Sequence, residues 1–103
     1  MILSTTEMIP GREYDVIGLV AGSTVQTTHL GRDIMSGLKT IAGGEAKAYT
    51  EMMHEARALS TKRMSEQARS MGADAVVSIR YASSAIMSSA AEVMAYGTAV
   101  KFR

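Results

Sequence analysis

Few side chains in this 103-residue chain could do chemistry. Cysteine is absent, and the imidazoles are His29 and His54. Glu51 and His54 are three residues apart, so on a helix they share a face and offer a metal ion two ligands. Two ligands do not close a site. A metal-ion site would need His29 or His54 from different subunits to meet on a symmetry axis, with acids or methionines completing the shell. Methionine sulfur suits Cu(I), but methionine repeated at helical spacing is the pattern of a packed face. Without cysteine there is no thiolate nucleophile and no thiolate metal site. No Gly-x-Ser-x-Gly elbow is present, and no spacing commits a serine or threonine to a histidine and an acid. Catalytic residues and a bound cofactor are therefore not expected, and a non-enzymatic protein is.

The remaining candidates concern binding. Gly43-Gly44 opens a helix and could present backbone N–H groups to an anion. It lacks the preceding strand and the following lysine of a phosphate loop, so a structural turn is the simpler reading. Arg57 falls on the margin of an apolar helical stripe. There a guanidinium needs a carboxylate or carbonyl partner, unless its stem lies along the apolar face with its head in water. Asp74 is either such a partner or a turn residue. Tyr49 and Tyr96 are candidates to cover a helix–sheet core while their hydroxyls reach a polar edge. Gly43, Gly44, Tyr49, Arg57 and Tyr96 are thus the ligand-binding candidates. An anion site at Gly43-Gly44 and Arg57 is the only footing for an enzymatic alternative.

Charge balance excludes whole classes of partner. Eleven Lys and Arg stand against ten Asp and Glu, leaving no net field to hold nucleic acid or an anionic membrane. No run approaches the ~18 apolar residues that span a bilayer, and Met1 to Pro10 lacks a basic start followed by a long apolar stretch. A cytoplasmic protein is expected.

The elements that must position these residues are legible in outline. Residues 1–6 suggest a short strand, and Ile9-Pro10-Gly11-Arg12 a turn. Tyr14 to Val25 is rich in β-branched residues and predicts a long strand, with Gly18 and Gly22 marking a bend or the close approach of another backbone. Residues 27–42 carry apolar positions 34, 35, 38 and 41, the spacing of a short helix. From Glu45 to Met71 there is no Pro or Gly, and Tyr49, Met53, Ala56, Ser60, Met64, Ala68 and Met71 step by three and four along one helical face, widened by Met52 and Leu59. Gly72 then ends the helix. Ala73–Tyr81 reads as a strand, the serine-rich 82–89 as a flexible hairpin loop, and 91–102 as a strand with Met94, Tyr96, Thr98, Val100 and Phe102 on one face. The whole predicts one α+β domain over 1–103: an antiparallel sheet of three to four strands with a long helix packed across it and a short helix before that one.

Size and composition point to assembly. The apolar inventory is 47% of the chain, yet it includes nine Met and fifteen Ala, soft or small residues that make a thin core, and only one Phe. A compact chain of this length has a radius of gyration of ~13 Å, hence a diameter of roughly 33 Å. A helix of the predicted length reaches ~40 Å, and so do the longer strands. The elements overhang: either they bend, or the protomer is elongated and its projecting ends and soft apolar face are covered by copies of itself.

Gly43-Gly44-Glu45, Tyr49, Glu55-Ala56-Arg57, Ala68 through Gly72-Ala73-Asp74-Ala75-Val76-Val77, and Tyr96-Gly97-Thr98-Ala99-Val100 follow one another as in the YbjQ family of small bacterial and archaeal proteins. The chain resembles that family over nearly its whole length. The resemblance implies an α+β protomer assembling into a homopentameric ring. It also carries a heavy-metal-binding label, so a heavy metal ion is a cofactor by that label alone. The expectation is a homo-oligomeric module, with five copies favoured, that binds a small ligand or partner at subunit interfaces. A metal-ion-binding protein with inter-subunit His, acid or Met ligands is the alternative.

Overall fold

The computed structural model describes residues 1–27, 47–87 and 90–103. In chain order these form β1 (Ile2–Leu3), β2 (Tyr14–Thr27), helix α1 (Lys47–Ser70), β3 (Ala75–Met87) and β4 (Ala90–Phe102). The four strands make one sheet in the order β1-β3-β4-β2, and α1 crosses one face of it. This is the expected α+β fold. The short helix expected within 27–42 lies outside the described residues apart from Thr27, which ends β2.

Two details differ from the sequence reading. The sheet is mixed: β2, β4 and β3 are antiparallel neighbours, but β1 runs parallel to β3, with Ile2 opposite Ala75 and Leu3 opposite Val76. The N-terminal segment continues along β3 past β1, where Ser78 N–H donates to Thr6 O and Ile79 N–H to Ser4 O, both at 3.0 Å. A one-residue bulge at Ser78-Ile79, with Ser78 at φ 54°, lets both N–H groups point the same way. The second difference is the serine-rich segment. Residues 82–87 are strand, with Ala82 opposite Met94, Ser83 opposite Val93 and Ala85 opposite Ala91. Ser and Ala are poor strand formers in isolation, but β4 is already paired with β2 along its length and templates them.

Helix and sheet lie unusually close. Met52, Ala56, Ser60, Met64 and Ala68 are buried at four-residue steps. Of the stripe read from the sequence, Ala56, Ser60, Met64 and Ala68 lie in the core, whereas Tyr49 and Met53 are half-buried and Met71 is exposed. Small residues oppose them. Ala95 and Ala99 of β4 join Val20, Met64, Ala68, Val76 and Ile79 in the main core cluster. At Gly22 a side chain is impossible: a Cβ would overlap Met64 N and Ser60 O and sit 2.8 Å from the Arg63 carbonyl carbon. Gly22 is therefore the close-approach glycine, whereas the chain near Gly18 carries a register irregularity in its pairing with β4. The Ser60 hydroxyl, buried in this contact, donates to Arg57 O at 3.0 Å.

The helix stops as Gly72 enters the left-handed region (φ 80°). Its N–H donates to Arg69 O and that of Ala73 to Ala68 O, the paired bonds of a Schellman cap. A second cluster, Ala75, Val77 and Val100, lies on the opposite face of the sheet and is covered by Ile9, Tyr14 and Phe102. The expected turn places Gly11 at φ 75° with Arg12 N–H donating to Ile9 O. The protomer is long: its principal extents are 55 × 24 × 17 Å and its radius of gyration is 16.9 Å, against ~13 Å for a compact chain of this size.

Candidate functional site

Three residues of α1 with one of β3 form the polar group closest to a site. Arg57 is half-buried on the flank of the helix, and its Nη2 lies 3.0 Å from His54 Nδ1. A guanidinium only donates, so Nδ1 accepts, and the neutral ring carries its proton on Nε2. The Thr61 hydroxyl donates to Arg57 O at 2.7 Å. With that proton committed, its 2.8 Å contact with Tyr81 has the tyrosine hydroxyl as donor. Tyr81 is thus tied across to the helix, and the flank reads His54, Arg57, Thr61, Tyr81. Among the described residues Arg57 meets neither of the partners expected for its guanidinium, and its side-chain partner there is an imidazole.

The other candidates are not gathered here. Tyr49 is half-buried near the start of α1. Tyr96 pairs with Arg80 and Ala21 between Ala95 and Gly97, and since Ala95 and Ala99 face the helix, Tyr96 faces away from it. It does not cover the helix–sheet core, because strand alternation reserves that face for the small residues. Gly43, Gly44 and His29 lie outside the described residues. Asp74 is a turn residue that caps a strand: its Oδ2 accepts from Phe102 N–H at 2.8 Å, and Lys101 Nζ is 3.5 Å from Oδ1. That backbone hydrogen bond, with the Lys101 and Arg12 charges, holds its carboxyl below the usual aspartate range against a smaller opposing effect of burial.

The residues around His54 do not fit a metal ion. As arranged, its Nδ1 lone pair is occupied by a cation and its Nε2 bears the proton, which leaves no donor pair. Among the described residues no three His, Asp or Glu converge. On the opposite face of the sheet, Ala82, Ser83, Ser84, Glu92 and Met94 line a depression of about 100 Å³, well below the ~300 Å³ of the smaller ligand pockets. Among the described residues no helix is long and apolar enough to cross a membrane.

Sequence reasoning missed Thr61 and Tyr81. Thr61 stood four residues after Arg57, a legible helical neighbour, but Tyr81 required knowing that β3 continues under that flank. It also missed Arg63 and Gln67. Arg63 Nη1 donates to Ser23 O at 2.8 Å, and Gln67 Oε1 accepts from Ala21 N–H at 2.8 Å, so the helix satisfies two backbone groups on the outer edge of β2.

Residues 1–103 match the family described as YbjQ_1, "Putative heavy-metal-binding". The chain is similar to a UPF0145 protein of Clostridium novyi (strain NT), 61% identical over 98% of each chain. It is 58% identical over 99% of each to one of Alkaliphilus metalliredigens (strain QYMF), and 56% identical to one of Thermotoga maritima over 98% of this chain and 96% of the relative. Its fold is that of a crystal structure of a protein of unknown function from Pediococcus pentosaceus ATCC 25745, assigned to the DUF74 family, with TM-score 0.71, 14% identity, and 100% and 98% of the two chains covered. The chain belongs to the UPF0145 family, the YbjQ family whose motifs its sequence carries.

Proposed function

We propose that this protein is a non-enzymatic, cytoplasmic homo-oligomeric module, a closed ring with five copies favoured, that binds a small ligand or partner at the seams between its copies. The observation that carries this reading is the shape of the protomer. A 103-residue chain drawn out to 55 Å leaves large apolar side chains uncovered along its sheet, among them Leu19 at 74%, Met87 at 61% and Val25 at 53% exposure. Such surface is costly in water, at roughly 25 cal/mol per Å², and a ring of identical copies removes it without leaving an open end. The five-fold count rests on the family resemblance. The flank bearing Arg57 and His54 supplies hydrogen-bond donors at such a seam.

Native mass spectrometry and sedimentation velocity of the full chain at micromolar concentration test the reading. A single species of five protomer masses is expected. A folded monomer at every concentration would reject it.

A further inference from the structure

The assembly just proposed needs a seam, and β3 offers one. Beyond the bulge, Tyr81–Met87 is exposed residue after residue, with Tyr81 47%, Ile86 51% and Met87 61% exposed. β4 pairs with one edge of this segment. The other edge is open among the described residues, because β1 and the Ser4–Thr6 segment cover only Ala75 to Ile79. Ile79 N–H points outward to Ser4, so alternation turns the N–H groups of Tyr81, Ser83 and Ala85 outward as well. An edge of this kind is a template for another strand.

The far edge of the same sheet is β2. Above its irregularity at 16–18, Leu19–Thr27 is a segment long enough to span Tyr81–Met87, with Leu19 and Val25 exposed. Its outward-facing backbone groups at Ala21 and Ser23 are held by Gln67 and Arg63, long surface side chains able to swing aside. β2 and β3 are both antiparallel to β4 and hence parallel to each other. A rotation that sets β2 of one copy beside β3 of the next therefore continues the sheet in the same sense, head to tail, as a closed ring requires.

Charge on α1 agrees with this direction. Arg63 and Gln67 reach β2, and Thr61 reaches β3. The helix thus has a β2-side flank of Glu55, Leu59, Arg63 and Gln67, and a β3-side flank of Met53, Arg57 and Thr61. Among the described residues neither Arg57 nor Glu55 has an ion-pair partner of opposite charge. Three strands per copy at ~4.8 Å each would set neighbouring helices about 14 Å apart, beyond the ~8–10 Å of close helix packing. Long side chains can bridge that gap.

Resting on the homo-oligomeric reading, we propose that β2 of one copy pairs in parallel with the Tyr81–Met87 edge of the next, and that Arg57 of one copy meets Glu55 of its neighbour across the seam. Ser83→Pro removes an outward N–H while leaving the bonds to β4 in place. With an unchanged circular dichroism spectrum it is expected to fall to protomer mass or associate at least tenfold more weakly in sedimentation equilibrium. A folded Ser83→Pro chain with full wild-type mass overturns the seam and leaves the homo-oligomer standing. A monomeric wild type overturns both. Should Ser83→Pro misfold, charge reversal decides: Arg57→Glu and Glu55→Arg are each expected to weaken association at least fivefold, and the two together in one chain to restore it. Failure of the double variant to recover rejects the seam.

Discussion

Gly22 of β2 lies directly beneath the Ser60 carbonyl of α1, with no room between them for a side chain. Helix and strand therefore meet backbone to backbone, and the pairing of small residues across this layer sets the spacing of the whole protomer. Gly22→Ala would press a methyl group onto Met64 N, Ser60 O and the Arg63 carbonyl carbon, main-chain atoms that cannot rotate away. Overpacking of this kind costs about 1–3 kcal/mol. Urea unfolding should show Gly22→Ala less stable by at least ~2 kcal/mol, while Gly11→Ala serves as a control with open space around it and a penalty only from its positive φ.

Met64 and Met53 separate the core of the protomer from its flank. Met64 is fully buried in the main cluster, whereas Met53 is half-buried on the β3 side of the helix. Met64→Ala is expected to cost about 2–5 kcal/mol. Met53→Ala should cost under half as much in denaturant unfolding of the dissociated chain. Equal losses would show that the flank is as tightly packed as the core.

Much of this arrangement was legible in the sequence, for physical reasons that can be named. The helical stripe from Met52 to Ala68 was visible because burial on a helix leaves a period, and the stop at Gly72 because only glycine enters the left-handed region without strain. Gly22 could be marked as a gap but not assigned its neighbour, since a missing side chain says nothing about which backbone fills the space. Residues 82–87 were misread because Ser and Ala carry little strand preference of their own; their conformation is imposed by β4, a non-local partner. The parallel placement of β1 was hidden for the same reason. Of the binding candidates, Arg57 and His54 could be placed on one stretch of helix, but their hydrogen bond depends on rotamers, and Tyr96 went to the wrong face of the layer for want of a register.

Asp74 makes the fold sensitive to acid. Its carboxyl titrates below the usual aspartate value in the folded chain, held there by the Phe102 N–H and by Lys101 and Arg12. A depressed folded pKa contributes stability that is complete above the unfolded value, 3.8, and is lost as pH falls through the folded one. Thermal unfolding should show Asp74→Ala below wild type at pH 7, with the gap closing as pH drops below about 4. A gap that stays constant down to pH 2.5 would mean that packing, not the charge, is what Asp74 supplies.

His54 is predicted to take no part in metal binding. Its Nδ1 accepts from Arg57, so ¹⁵N chemical shifts should report the Nε2–H tautomer. Zn²⁺ titration heats of wild type and His54→Ala should superimpose. Loss of a binding isotherm in His54→Ala would show that Arg57 releases the ring to a metal.

Arg63 and Gln67 stand between two fates of the β2 edge. In the protomer they satisfy Ser23 O and Ala21 N–H, and each such bond is worth roughly 1 kcal/mol net. Replacing both by Ala should lower protomer stability by about 1–2 kcal/mol and also free two backbone groups that seek another strand. If that edge is the one a neighbouring copy uses, the double variant will associate more tightly than wild type even though each protomer is less stable, because the competing side chains are gone. Sedimentation equilibrium and denaturant unfolding, run on the same samples, read the two effects separately. A double variant that loses stability without gaining association would mean that the β2 edge is guarded in the monomer and unused in the assembly.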